Sequence, residues 1–309
     1  NDSDDMRILK ILDSMNLKGT FYINPGSSSN GLTDAQLQVL AATHEVGSHT
    51  WSHLRLERDA KILRNELISS KSYLESITRY PVLGVAYPYG KYSRIAGAVA
   101  QECGYLFART VDEGNTDFPP ANPYTWGISV YARLRPFSRK LLSITALRRA
   151  QVYVRNAATD WHGLALKLFD KAYRTNGVWH LFSHAKEVLQ PKLKDNFLEV
   201  CRHVARRKDI WYATNGMLFL NEVVKNGVRI TENRHGTQFF FHIQARYPTE
   251  ALLEKIPVPL RLVVPKNWNN TFKVEVFPAT IGRFEIERRA GQAWINIYDR
   301  EAEVKVELG

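Results

Sequence analysis

The sequence predicts an α/β protein with a mainly parallel sheet, open or closed as a barrel, followed by a small all-β module. Strand and helix patterns alternate as far as residue 226, period-two segments without helical patterns fill the remainder, and 44% of the 309 residues are hydrophobic, enough for a sizeable core. With 24% charged residues, 18 Gly and 13 Pro, the chain is neither disordered nor collagenous. No run of about 18 uncharged apolar residues occurs, so no membrane span is expected.

Ile8, Leu9, Ile11, Leu12 and Met15 keep helical spacing, with Asp4 or Asp5 placed to cap the N-terminus. Gly19 then leads into a short strand, Thr20 to Ile23. A helix over 34–43, a strand end over 46–49 and a long helix over 59–79 follow, the last stopped by Pro81. Next come a strand at 82–86, a helix at 93–102 ending at Gly104, and a strand at 105–110. After a Pro-rich loop at 112–123 come an extended piece at 126–133 and helical patterns from about 140 to 173. Strand, helix, strand and helix then repeat at 178–183, 193–207, 210–214 and 217–225. Beyond Gly227, alternating segments at 237–243, 260–264, 272–276, 284–287, 294–298 and 303–308 suggest a small β-sandwich. The expected division is therefore 1–226 and 227–309.

The formal charge is +11, with basic residues grouped at 133–140, 148–149 and 202–208. Each group lies in or beside a predicted helix, where a solvated face explains it, so nucleic acid as a partner rests on net charge alone. Cys103 and Cys201 lack metal-type spacing and read as small core residues, leaving the redox compartment open. Asn1 is not a natural start, so an upstream segment is expected.

Three features sit where predicted strands end, the edge at which βα folds assemble their sites. In Glu45-Val-Gly-Ser-His49-Thr-Trp-Ser-His53, the two histidines would project from one face if the segment turns helical, and could chelate one ion. A polar loop whose histidines merely cap and hydrogen-bond would give the same pattern. In Tyr87-Pro88-Tyr89-Gly90 a turn could aim a backbone N–H at a developing oxyanion, or could be a plain β-turn with surface tyrosines. His184 closes the apolar run from Val178 and could act as a general acid, whereas His180 would sit deeper as a core histidine.

Together with Gly19-Thr20-Phe21-Tyr22-Ile23, and in this order, these pieces resemble the polysaccharide deacetylase family, the NodB-homology carbohydrate esterases, over about residues 5–225. The resemblance implies a distorted (β/α) barrel that hydrolyses N-acetyl or O-acetyl groups on a glycan with one divalent metal ion, zinc being the expected identity. It also implies that His49 and His53 are metal ligands, that the Tyr89 N–H faces the oxyanion, and that His184 protonates the leaving group. An acetylated glycan is the implied partner, and the periplasm or cell exterior the implied location.

Two departures stand out. Ala86 occupies the place where many members carry an Arg that holds the catalytic carboxylate, and Arg109, ending the next strand, could reach the same position. The family's pair of aspartates at the end of strand one resembles Asp4-Asp5, but matching the following helix and strand puts that pair immediately before Asn1. Asp4 and Asp5 are then expected to cap a helix rather than to serve as base and third metal ligand, and the first strand, the general base and that ligand are expected upstream of the residues given. A non-catalytic glycan-binding or scaffold protein on the same fold is the alternative. In the C-terminal module, Trp268 is the candidate for stacking on a sugar.

Overall fold

The computed structural model describes residues 3–27, 31–54, 59–133 and 161–236, and beyond these the strands 238–245, 258–263, 272–277, 284–289, 292–297 and 301–308. The helical patterns expected at 140–160, and Trp268, lie outside the described residues. By internal contacts the chain divides into two compact units, Asn1–Gly216 and Met217–Gly309. This division and the expected one at residue 226 both fall within the same helix, Asn215–Gly227.

The first unit is built on a parallel sheet in the order β1 (Thr20–Ile23), β2 (Glu45–Ser48), β3 (Gly84–Ala86) and β4 (Phe107–Arg109). Helices α1 (Ser3–Ser14), α2 (Asp34–Thr43), α3 (Ala60–Thr78) and α4 (Ala96–Glu102) precede, separate and connect these strands. A parallel bridge from Arg109 to Trp126 extends the array to the segment carrying β5 (Val130–Tyr131), which pairs in parallel with β6 (Leu181–Phe182). Then come α5 (Trp161–Arg174), preceding β6, and α6 (Ala185–Val188), α7 (Pro191–Val204) and α8 (Asn215–Gly227) after it.

Local chemistry sets the ends of these elements. Thr33 and Gln36 form a reciprocal capping box on α2, and the Asp59 carboxylate accepts from the Lys61 and Ile62 amides at the start of α3. Helix α3 ends at Arg79, which takes a left-handed conformation two residues before Pro81.

Strand alternation separates two faces. Ile23, Val46, Val85 and Ala108 share one core with Leu37 and Leu40 of α2, and Leu63, Leu67 and Leu74 of α3. The opposite face carries Tyr22, Gly47, Gly84, Phe107 and Arg109 by the same alternation. There the glycines make room for rings: a Cβ on Gly47 would lie 2.6 Å from the Tyr22 ring, and one on Gly84 would lie 2.1 Å from Phe107. A second core joins Val130 and Ala132 to Ile8, Trp161, Phe169, Phe197 and Val204.

The expected strand at 210–214 is absent. No backbone ladder is formed there; instead the Tyr212 hydroxyl donates to the Val204 carbonyl and accepts from the Arg207 amide. Where the segment meets β1, the contact runs through side chains, Asn215 N–H to Thr20 Oγ1 at 3.0 Å and Asn215 Nδ2 to the Tyr22 hydroxyl at 3.0 Å. Among the described residues no ladder joins β6 to β1.

The second unit contains β7 (Val228–His235), β8 (Gln238–Ala245), β9 (Val258–Val263), β10 (Phe272–Phe277), β11 (Phe284–Arg289), β12 (Gln292–Ile297) and β13 (Glu301–Leu308). They form antiparallel sheets in the orders β10-β13-β8-β7 and β11-β12-β9. Six of the seven strands coincide with the alternating segments read from the sequence. The seventh, β7, precedes them and forms a hairpin with β8 through Gly236, whose φ of +61° suits the left-handed turn position.

Candidate active site

His49 is the residue after β2, and its backbone amide extends the β1 ladder by donating to the Ile23 carbonyl at 2.7 Å. Its ring therefore starts from the carboxyl edge of the sheet. Nδ1 lies 2.7 Å from the Ala86 carbonyl, the residue ending β3. A carbonyl can only accept, so Nδ1 carries the proton and Nε2 keeps a lone pair. Desolvation, opposed by that hydrogen bond and reinforced by the charges of His53 and His184, lowers the His49 pKa to about 4. The ring is therefore neutral at physiological pH.

His53 reaches His49 without a helix. The residues after His49 form a bent loop, the polar-loop alternative rather than a helical turn, with left-handed φ values of 63° at Thr50 and 58° at His53. The two imidazoles nevertheless converge, with ring centroids 4.7 Å apart, and His53 also packs edge-on against Tyr89 at 4.8 Å. Burial and the charge of His184 hold the His53 pKa below the ordinary histidine value.

Tyr89 occupies a single 3₁₀ turn, Pro88–Gly90, directly after β3, with φ of 59° and an exposed ring. His184 caps α6, and its Nδ1 lies 2.9 Å from the Tyr131 hydroxyl and 3.4 Å from Glu187 Oε2. The Tyr131 hydroxyl occupies Nδ1 and leaves Nε2 as the nitrogen that can face a substrate. The charge of His184 acts on both His49 and His53 in the same direction, lowering their pKa values.

Arg109 lies within the sheet rather than at its edge. It is the direct register partner of Ala86, but its side chain is buried within the sheet's inner face. There the guanidinium lies 3.5 Å over the Trp126 ring, and its Nη2 hydrogen bonds to His180 Nδ1. Burial lowers its pKa to about 9, opposed by the charges of Tyr22 and Glu45, so it remains a cation at neutral pH. Its Nε and Nη1 are buried without hydrogen-bond partners among the described residues. Glu45 accepts from Thr20 Oγ1 at 2.8 Å and the Gly216 amide at 2.7 Å, and burial raises its pKa. His180, expected as a core histidine, is bound to this interior cluster rather than to the other imidazoles.

Asp4 and Asp5 stand in the first turn of α1, where a carboxylate complements the helix dipole, and Asp4 Oδ1 pairs with Arg7 at 2.8 Å. Among the described residues no group of three His, Cys, Asp or Glu could hold a metal ion. The donor set fits a divalent ion in part: His49 has the protonated Nδ1 held by a carbonyl that is usual behind a ligating Nε2, and His53 stands beside it.

Sequence reasoning missed Tyr131 and Glu187 behind His184, and Glu66 behind the histidine loop. Glu187 carries a readable signal, three residues after His184 at the start of a helix. Tyr131 is 53 residues away and carries none.

A family model described as polysaccharide deacetylase matches residues 2–108. A peptidoglycan deacetylase of Helicobacter pylori is 25% identical over 115 residues, which cover 37% of this chain and 38% of that protein. The chain thus spans about two fifths of the length of this curated relative. A crystal structure of a polysaccharide deacetylase candidate from Mycobacterium smegmatis superposes with a TM-score of 0.51 at 20% identity, over 70% of this chain and 75% of the other. A CE4 family pseudoenzyme from Bacillus anthracis is more distant, with a TM-score of 0.41 at 14% identity over 70% and 60%. The resemblance carried by the histidine and tyrosine motifs is therefore to the polysaccharide deacetylase family, with its matching stretch in residues 2–108.

Proposed function

We propose that this chain serves the metal-dependent removal of acetyl groups from a glycan, with His49 and His53 as ligands of one divalent ion, zinc being the expected identity. The observation that carries the reading is the His49 tautomer: the Ala86 carbonyl fixes the proton on Nδ1 and presents Nε2 beside the His53 ring. A bound ion would supply Lewis-acid polarisation of the acetyl carbonyl. The chain's own groups supply the rest. The Tyr89 amide, held in a left-handed turn at the same sheet edge, donates to the developing oxyanion. His184 delivers a proton to the leaving nitrogen or oxygen, its ring oriented by Tyr131 and Glu187.

Arg109 is proposed as a positioning residue in place of the Arg that Ala86 lacks. Their direct register pairing and the two unpartnered guanidinium nitrogens support it. If acetate release by Arg109→Ala equalled that of the parent, the role would be withdrawn. Closure of the sheet into a distorted barrel, packing of the C-terminal sheets as a sandwich over 227–309, and action in the periplasm or outside the cell belong to the same proposal.

The test is the metal content of the dialysed chain beside a His49→Ala control, followed by acetate release from acetylated oligosaccharides. One equivalent in the parent and none in the control is expected. No metal in either would instead favour glycan binding without catalysis. The lack of a third ligating group among the described residues and Ala86 at the Arg position are the observations on that side.

A further inference from the structure

Histidines four residues apart converge without effort on a helix, but here they lie on a loop and something else must hold them. Thr50 and His53 both have positive φ, which non-glycine residues avoid, and Thr50 is β-branched and fully buried. A side chain outside the motif pins the residues between them. Oε2 of Glu66 accepts from the amides of Trp51 at 3.0 Å and Ser52 at 2.8 Å, and Oε1 accepts from the Ser52 hydroxyl at 2.7 Å. Two successive N–H groups aimed at one carboxylate oxygen form a small anion-binding concavity with the anion built in. Glu66 is itself anchored, because its neighbours on α3, Leu63, Leu67 and Ser70, are buried, and Ser70 Oγ bonds to Ser48 Oγ of β2 at 2.9 Å.

The other side of the loop is pinned as well. The Gly26 amide donates to the Trp51 carbonyl at 2.8 Å, and a Cβ on Gly26 would lie 2.4 Å from the Trp51 indole. Trp51 also packs edge-on against Tyr73 of α3 at 5.7 Å. Among the described residues no hydrogen bond joins Glu66 to either imidazole, so its effect on them runs through the backbone it holds.

We infer that Glu66 is a positioning residue: its carboxylate holds Trp51 and Ser52, between the left-handed Thr50 and His53, in the loop geometry that brings the His49 and His53 rings together. This rests on the reading of that pair as metal ligands, and the test separates the two. Co²⁺ is titrated into the full chain and followed by visible absorption and calorimetry, with near-UV circular dichroism confirming that each variant is folded. Glu66→Ala should weaken Co²⁺ by about 10- to 100-fold, the usual effect of losing a group that orients a ligand. Glu66→Gln should stay within about threefold, because its carbonyl can accept both amides while its NH₂ donates to Ser52 Oγ. If Glu66→Ala fails to fold, Glu66→Asp, which keeps the charge one methylene short of the loop, should show the same weakening.

Equal Co²⁺ affinity in the parent and Glu66→Ala would overturn the inference even if melting temperature fell. Equal losses in Glu66→Ala and Glu66→Gln would also overturn it, since charge rather than geometry would then be responsible. If the parent binds no Co²⁺ at all, the ligand reading fails, and the His53 Hε1 chemical shift of the metal-free protein decides for Glu66. A shift displaced in Glu66→Ala and retained in Glu66→Gln supports the inference; one unchanged in both overturns it.

Discussion

A histidine's proton can be placed only by what its two nitrogens face, and His49 and His44 each have one nitrogen committed to backbone. At His49 the partner is a carbonyl; at His44 it is the Gly19 amide, which donates to Nδ1 at 3.1 Å, while Nε2 faces Asp13 at 3.2 Å. Burial, opposed by the Asp13 carboxylate, holds the folded His44 pKa below the ordinary value, and protonating Nδ1 would also break the Gly19 bond. The unfolded chain then binds more protons between the two pKa values. Stability from His44 is full above about pH 6.5, the unfolded histidine value, and is lost as pH falls through the folded pKa. The urea midpoint of the parent should therefore fall between pH 7.5 and 5, and His44→Asn, whose Oδ1 can accept from Gly19, should remove part of that fall. An unchanged slope in the variant would show that His44 does not titrate this way. At His184, Tyr131→Phe removes one hydrogen bond of 2.9 Å. Under the proposed function this should reduce kcat for acetate release about five- to tenfold with KM nearly constant, the effect of a net contribution near 1 kcal/mol.

The strands that carry the site depend on glycine for a packing reason. Gly84 begins β3, and a Cβ there would stand 2.1 Å from the Phe107 ring, which is itself fully buried. Neither ring nor strand can withdraw without moving β4, so Gly84→Ala should destabilise by about 1–3 kcal/mol, the usual range for overpacking. The thermal midpoint should fall by several degrees; an unchanged midpoint would mean that Phe107 finds another rotamer. Helix α3 provides the opposite case. Leu67 is fully buried in the core behind the sheet, and Leu67→Ala should cost about 2–5 kcal/mol through the cavity it leaves. Because Glu66 adjoins Leu67 on the helix, the same packing that stabilises α3 fixes the carboxylate that holds the histidine loop.

The chain's two compact units predict two unfolding transitions by calorimetry, with Gly84→Ala and Leu67→Ala shifting only the one that belongs to Asn1–Gly216. A single transition shifted as a whole by either substitution would contradict this. At this scale the sequence was legible wherever the signal was local. The helix over 34–43 and the bounds of α3 are set by consecutive residues, and so are the alternating β segments from 238 onward. The segment 210–214 misled because its apolar pattern suits a strand, whereas strand status requires a backbone partner, and here side chains of Thr20, Tyr22 and Asn215 make the contact. His49, His53, Tyr89 and His184 were readable as candidates because each follows a strand, and parallel strands bring their carboxyl ends to one edge. By itself the sequence determined the α/β order, the β-rich C-terminal segment and these motif residues, since periodicity, capping and spacing are properties of neighbours along the chain. Only the tertiary structure decided that His53 meets His49 through left-handed residues rather than a helix, that Arg109 turns inward, and that Tyr131 and Glu66 stand behind the imidazoles. Those outcomes depend on register and packing between residues 14 to 71 positions apart, and no local pattern encodes them.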